Sequence, residues 1–309
     1  MNFIQRHAYD VGAALAACLW PFMPKRRRIA VENVLKCGIT SDEKEARRIA
    51  KKSFCHLAGH IAEALFVPGV VTKENWREHL DFTGAHPDAV KLLLDTLDTP
   101  IILVSSHHGV WEAATNVLSF ARPMIAIARV MNNKLAAKWM AKHHFRGPVT
   151  VIDKKNGFKP EIMRQWKDTN AAMTILMDQH TSKGLPLTFL GRPAKTFSSA
   201  ARLAIRTGYP VVVGSFVRVA PYRYRLVGGP PIRFPKDADR AAAGWTKHLH
   251  KRSRTIRYCT SLPKHDWDPA VGIARIVESV CRPPYAWNKP SLLGMRIVVR
   301  IPERFSNVV

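Results

Sequence analysis

Hydrophobic positions along the chain change rhythm three times. The first stretch, Val11 to Met23 ("VGAALAACLWPFM"), is an uncharged, almost wholly apolar run of 13 residues. Further on, Ala46, Ile49, Ala50, Phe54, Leu57, Ile61 and Leu65 recur at helical spacing. That period predicts a long amphipathic helix, opened by a Thr40/Glu43 capping box and stopped at Pro68-Gly69. From Pro100 the apolar runs shorten to strand length: 101–104, 124–128, 149–152, 173–177 and 211–219. Helix-length segments at about 110–120, 133–145, 158–168 and 197–207 lie between most of them. Strand alternating with helix predicts an α/β fold, with a mixed, largely parallel central sheet flanked by helices. "YRYRLVGG" (222–229) alternates and predicts an antiparallel edge strand. Beyond residue 240 the periodicity fades. Three regions follow: 1–35, an N-terminal membrane-associating helix and basic turn; 36–239, the α/β domain; and 240–309, an atypical basic segment.

Composition and charge sharpen the first region. The chain has 309 residues, is 47% hydrophobic and carries a net charge of +25. Such a field draws polyanions, whether nucleic acid, anionic headgroups or acidic proteins. No apolar run reaches 18 residues. As a helix, Val11–Met23 extends ~20 Å, short of the ~30 Å hydrocarbon core. "KRRR" (25–28) follows the apolar run, the reverse of the order in a signal peptide. An interfacial anchor with basic residues on anionic lipid fits this order. Five scattered cysteines without a CxxC pair give neither a disulfide framework nor a zinc knuckle, and point to a reduced, cytosol-facing location.

The chemistry concentrates at "VSSHHGVWEAA" (104–114). Reactive groups in open α/β sheets gather at the carboxyl ends of strands, and His107 lies just past the run ending at Val104. On one continuous helix His107 and Glu112 would point ~140° apart. They can meet only if His107 sits in the loop before the helix and Glu112 in its first turns. A histidine whose second ring nitrogen meets a carboxylate is a tuned general base. Ser105 and Ser106 lack the GxSxG context of a nucleophile, so the pair suggests direct proton removal from a substrate hydroxyl. A capping glutamate beside a surface histidine would give the same spacing. His56, His60 and Glu63 share one helix face at i, i+4 and i+7, an arrangement a metal could use, but HExxH is absent.

These residues resemble a known family. "HHGVWE" is similar to the HxxxxD/E motif of the lysophospholipid acyltransferase superfamily. Within it, the closest form is that of the late acyltransferases of lipid A biosynthesis, the lauroyl/myristoyl transferase type. "IARVMNNKL" (127–135) looks like that family's arginine-containing segment, with Arg129 and Asn133 in place. "MDQHTSKGLPLTFLGRPAKTFSSAARLAIRTGYPVV" (177–212) is similar to its D-Q-x-x-x-x-x-G-x-x-x-x-F-x-G-x-x-A block, with Asp178, Gln179, Gly184, Phe189, Gly191 and Ala194 matching. "RRRIAVENVL" (26–35) and Glu63 match further positions, with Val34 in place of a leucine. The resemblance covers about residues 10–235.

The resemblance implies an acyltransferase that moves a fatty acyl group from an acyl-carrier-protein thioester, or acyl-CoA, to a hydroxyl of a lipid A precursor. His107 would be the general base and Glu112 its support. Arg129 would hold an acceptor phosphate, and Asp178 would lie at the polar site in a role the resemblance leaves unresolved. Asn133, Gln179, Lys183, Gly184 and Gly191 complete the implied substrate-binding set. Lys154, Lys155, Lys159, Arg192 and Lys195 lie in or beside the same loops. No metal or cofactor is implied, since the thioester is a co-substrate. The implied partners are the carrier protein or acyl-CoA, a phosphorylated glycolipid and an anionic membrane surface. The implied location is the cytoplasmic face of a bacterial inner membrane, where the basic surface suits both lipid and acidic carrier.

Two alternatives stand beside this reading. One is a lysophospholipid or other glycolipid acyltransferase. The other is a basic nucleic-acid-binding protein, for which no helix-turn-helix, zinc finger, RRM or KH pattern is visible. The family's usual tryptophan- and arginine-rich ending is missing. Residues 240–309 hold 13 Lys+Arg against 4 Asp+Glu, with clustered proline. The expectation is that the native reading frame is lost near 240–245. The nucleotide sequence decides this: no family-like ending in either alternative frame would refute it.

Overall fold

A seven-stranded sheet with helices on both faces organises the chain. The computed structural model describes residues 2–107, 109–128, 147–153, 158–178, 184–189 and 192–233. The strands are β1 (Leu80–Ala85), β2 (Ile101–Ser105), β3 (Met124–Ala128), β4 (Val149–Asp153), β5 (Ala172–Leu176), β8 (Val211–Ala220) and β9 (Arg223–Gly228), in the order β1-β9-β8-β2-β5-β3-β4. All pairings are parallel except β8 with β9. Two further strands, β6 (Leu185–Phe189) and β7 (Arg192–Thr196), form a separate antiparallel ribbon. The α/β class and largely parallel sheet expected from the sequence are therefore present.

The apolar runs read as strands because both sheet faces are covered. All five residues of β2 are buried, as a parallel strand between helical layers requires. Its side chains alternate between two cores. Ile101 and Leu103 face a cluster with α4 (Glu43–Val70), α5 (Pro87–Leu94) and α6 (Trp111–Leu118). Ile102 and Val104 face a second cluster with Trp166 of α7 (Pro160–Asp168) and Leu203 of α8 (Ser199–Thr207).

The connections from two neighbouring strands diverge. β2 leads through α6, on the first face, to β3. β5 leads through the ribbon and α8, on the second face, to β8 on the opposite side of β2. Chains leaving adjacent strands in opposite directions open a crevice at their carboxyl ends. His107 follows β2 and Asp178 follows β5, so both stand at that crevice. The other end of the sheet is closed by the buried Arg122. Its guanidinium donates to the carbonyls of Leu92 at 2.6 Å and Thr99 at 2.8 Å, and to that of Asn170. Burial lowers its pKa to about 10.

Ahead of the sheet come α1 (Phe3–Arg6), α2 (Ala8–Leu19), a 3-10 turn Trp20–Phe22 and α3 (Pro24–Lys36). Three local expectations need correction. The cap of α4 is Asp42, whose carboxylate accepts from Lys44 N–H at 2.9 Å, while Thr40 only accepts from Asp42 N–H at 3.1 Å. Pro68 does not stop α4, which runs on to Val70 with Val71 N–H bonded to Val67 carbonyl at 2.8 Å. So close to the helix end, proline forfeits one bond, and the buried Val67 beside it holds the last turn on the core. β9 is not an edge strand, because the short β1 pairs parallel to its outer side. The proposed helix at 133–145 and the segment 240–309 lie outside the described residues.

A buried ion pair joins α4 to the sheet. Glu63 is 1% exposed. Its Oε2 accepts from Arg218 Nε at 2.7 Å and its Oε1 from the Tyr224 hydroxyl at 3.1 Å. The Arg218 guanidinium also lies 4.1 Å from the Tyr9 ring centroid, drawing α2 into the network. Burial pushes the Glu63 carboxyl up, against the pull of Arg218 and the tyrosines. Glu63 is thus engaged with Arg218, and His56 meets the Tyr9 hydroxyl. Among the described residues no three potential ligands are grouped to hold a metal. Glu63→Ala strands a mostly buried guanidinium and is expected to cost about 3 kcal/mol, the low end for a broken buried pair. Urea unfolding measures this. A loss below ~1 kcal/mol would show the pair to be dispensable.

Candidate active site

His107 lies two residues past the end of β2, and a turn at Gly109 and Val110 leads into α6 at Trp111. Gly109 makes the turn possible. Its φ is +63°, and a Cβ there would lie 2.0 Å from the Phe216 carbonyl oxygen. That oxygen accepts from Val110 N–H at 3.1 Å, so the turn is pinned to β8. Only glycine tolerates both the left-handed backbone and this close approach. Beneath it, Ser106 is buried with its hydroxyl 3.3 Å from that of Ser215. Ser105 is buried in β2. Neither serine is presented as a nucleophile at the cleft.

Asp178 closes on His107 from the neighbouring strand. Met177 N–H donates to the Ser105 carbonyl at 3.1 Å, which extends the β2–β5 ladder by one residue and sets Asp178 opposite the turn. One carboxylate oxygen accepts the backbone N–H of His107 at 2.6 Å. The other lies 2.8 Å from its Nδ1. A carboxylate only accepts, so Nδ1 carries the proton and the tautomer leaves Nε2 with its lone pair. Asp178 is 5% exposed and His107 22%. The acid is shielded while the imidazole still reaches the cleft. The Trp111 ring stands edge-on to the imidazole at 5.2 Å between centroids.

Glu112 occupies the first turn of α6 and is half-buried. His107 in the preceding turn and Glu112 in the first helical turn is the geometry that permits both to serve one site. A carboxylate there also complements the helix dipole. The structure adds what the spacing did not reveal: an Nδ1 partner 71 residues away. The resemblance placed Asp178 at the polar site, but its bond to His107 depends on β2 and β5 being neighbours. Gly184 lines a cleft against α8 at the same end of the sheet. Lys159 precedes α7 and is exposed, as is Lys195 in β7. Arg129, Asn133, Gln179, Lys183 and Gly191 lie outside the described residues, as do Lys154 and Lys155.

A histidine at a strand-end crevice with Nδ1 fixed by a buried acid can remove a proton from an alcohol through Nε2. No curated protein matches the chain. The family model described as bacterial lipid A biosynthesis acyltransferase matches residues 4–250, which include the whole sheet, the His107 turn and Asp178. With four-fifths of its length matched, the chain is an acyltransferase belonging to the bacterial lipid A biosynthesis acyltransferase family.

Proposed function

We propose that the protein transfers a fatty acyl group from an acyl-carrier-protein or acyl-CoA thioester to a hydroxyl of a phosphorylated lipid A precursor, with His107 as general base. The observation that carries this reading is the pair of bonds from Asp178 to His107. In the proposed step, Nε2 takes the hydroxyl proton as the oxygen attacks the thioester carbonyl carbon. The tetrahedral oxyanion collapses, the C–S bond breaks, and the imidazolium returns its proton to the departing sulfur. An ester and a free thiol result. Asp178 holds the tautomer and offsets the imidazolium charge, and Glu112 supports it from α6. The positive end of α6 lies beside the imidazole and favours the developing oxyanion. Arg129, Asn133, Gln179, Lys183 and Gly191 are retained as acceptor-side residues on the family resemblance. Thiol release tests the reading. It should require the acceptor lipid and scale with it, whereas thiol release indifferent to acceptor would make the protein a thioesterase.

The site works at a membrane surface in this account, and α2 supports that placement. Its small residues Ala8, Gly12 and Ala16 are buried. A Cβ on Gly12 would lie 2.6 Å from the Ala62 side chain of α4, so the two helices touch nearly backbone to backbone. The large apolar residues Val11, Leu15, Leu19 and Phe22 point outward instead, at 51–80% exposure. Ile61 and Leu65 of α4 are exposed as well. This is the reverse of an amphipathic helix on an aqueous surface. Lys25, Arg26 and Arg28 stand exposed just beyond the apolar face. Among the described residues no helix is long and apolar enough to cross a membrane. An apolar face with a basic border suits the plane of an anionic bilayer. Replacing Val11, Leu15 and Leu19 together by glutamine is expected to weaken binding to anionic vesicles by about 10²-fold or more. Co-sedimentation measures it, and unchanged binding would remove α2 from the interface.

A further inference from the structure

The described residues include a cleft of ≈520 Å³ on the second face of the sheet, between α8, Gly184 and Phe158. Its floor and wall carry Ser198, Ser199, Arg202 and Arg206. α8 leads into β8, which runs parallel to β2, so the start of α8 lies at the strand ends that carry His107. α8 also packs against β2 itself. Gly184 is six residues beyond Asp178. The cleft therefore lies at the same end of the sheet as the acyl-transfer site and, apart from Gly184, uses residues not assigned to that site.

Its charge is unbalanced. Arg202 and Arg206 stand one turn apart on α8 and both are exposed. Like charges at this spacing repel by a few tenths of a kcal/mol. Helical side chains lean toward the helix N-terminus, which carries both guanidiniums toward Ser198 and the mouth of the cleft. Among the described residues neither guanidinium meets a carboxylate, and the first turn of α8 holds no acid. Ser198 occupies the cap position but makes no side-chain capping bond. Phe158 and Phe197 add an apolar wall. Two forked cations and two hydroxyls beside aromatic rings suit a phosphate ester with an organic body.

We infer that this cleft binds a phosphate group of one of the two substrates, with Arg202 and Arg206 as its cationic ligands. The inference rests on the acyltransferase reading, in which both substrates carry phosphate. In the donor it is the phosphopantetheine phosphate behind the thioester. In the acceptor it is a phosphate on the sugar. Either would anchor its substrate beside His107 through a group remote from the reacting atoms.

Calorimetric titration with two soluble probes, coenzyme A for the donor and glucosamine 1-phosphate for the acceptor, separates these sources. One probe should bind the wild type and weaken about 10-fold for each guanidinium removed in Arg202→Gln, Arg206→Gln and the double variant. Lysine replacements keep the charge but lose the fork, and should retain part of the affinity. In steady-state assays the loss should fall on the KM of the substrate that shares the probe's phosphate. The inference is overturned if the wild type binds neither probe. Binding within twofold of wild type in a double variant with unchanged melting temperature overturns it equally. Probe binding does not depend on turnover, so the two readings fail separately. Arginine-dependent binding without acyl transfer would sink the acyltransferase reading alone. His107-dependent transfer indifferent to both arginines would sink this one alone.

Discussion

His107→Ala is expected to lower kcat for acyl transfer by about 10³-fold, within the 10²–10⁴ range of a positioned general base. In the proposed step the imidazole takes the hydroxyl proton, so its removal would leave the alcohol to attack without help. The side chain is 22% exposed and its main anchor is Asp178, so the fold should tolerate the change. Residual activity should come from positioning and oxyanion stabilisation, which do not depend on the ring. Rates with saturating donor and acceptor, beside melting curves, check this. A loss smaller than about 10-fold in a folded variant would remove His107 from the proton transfer.

Asp178→Asn is expected to be nearly as damaging, by a different route. The carboxylate accepts from both the backbone N–H and the ring of His107. An amide can keep only one of these bonds without turning its NH₂ toward a donor. If the NH₂ faces the ring, Nδ1 must accept, the proton moves to Nε2, and the base is lost. In serine proteases the equivalent change costs up to about 10⁴-fold in kcat. The structure here predicts a loss on the order of 10²–10⁴, carried mostly by kcat. A loss in kcat at unchanged KM and melting temperature distinguishes this from simple loss of structure. A loss under 10-fold, or one that only follows a fall in melting temperature, would make Asp178 a fold residue only.

The crevice histidine was legible in the sequence because a strand-length apolar run ends in a short polar turn before a helical pattern. The bond from Asp178 was not, since it joins residues 71 apart in the chain and exists only because β2 and β5 are neighbours. Hydrophobic period reports which face of an element is buried, and strand order is a tertiary property. The same limit hid β1, whose "LDFTGA" is too polar and too short to announce a strand. It also made β9 look like an edge. Arg122 left no signal either, because it bonds main-chain carbonyls that any residue could supply. At α2 the apolar composition was visible, but not that glycine and alanine would face the protein and the large side chains the outside. Glu63 matched a family position and shared a helix face with His56 and His60, while the structure pairs it with Arg218 inside the core.

In the proposed reaction His107, held by Asp178, directs a fatty acyl group from sulfur to a lipid hydroxyl. The most direct test is the mass of the acceptor after incubation with acyl-carrier protein or acyl-CoA, run side by side for the wild type and His107→Ala. The wild type should yield an acceptor heavier by one ester-linked acyl group, and the variant almost none. An unchanged acceptor mass while the thioester is consumed, or equal product from both proteins, would contradict it.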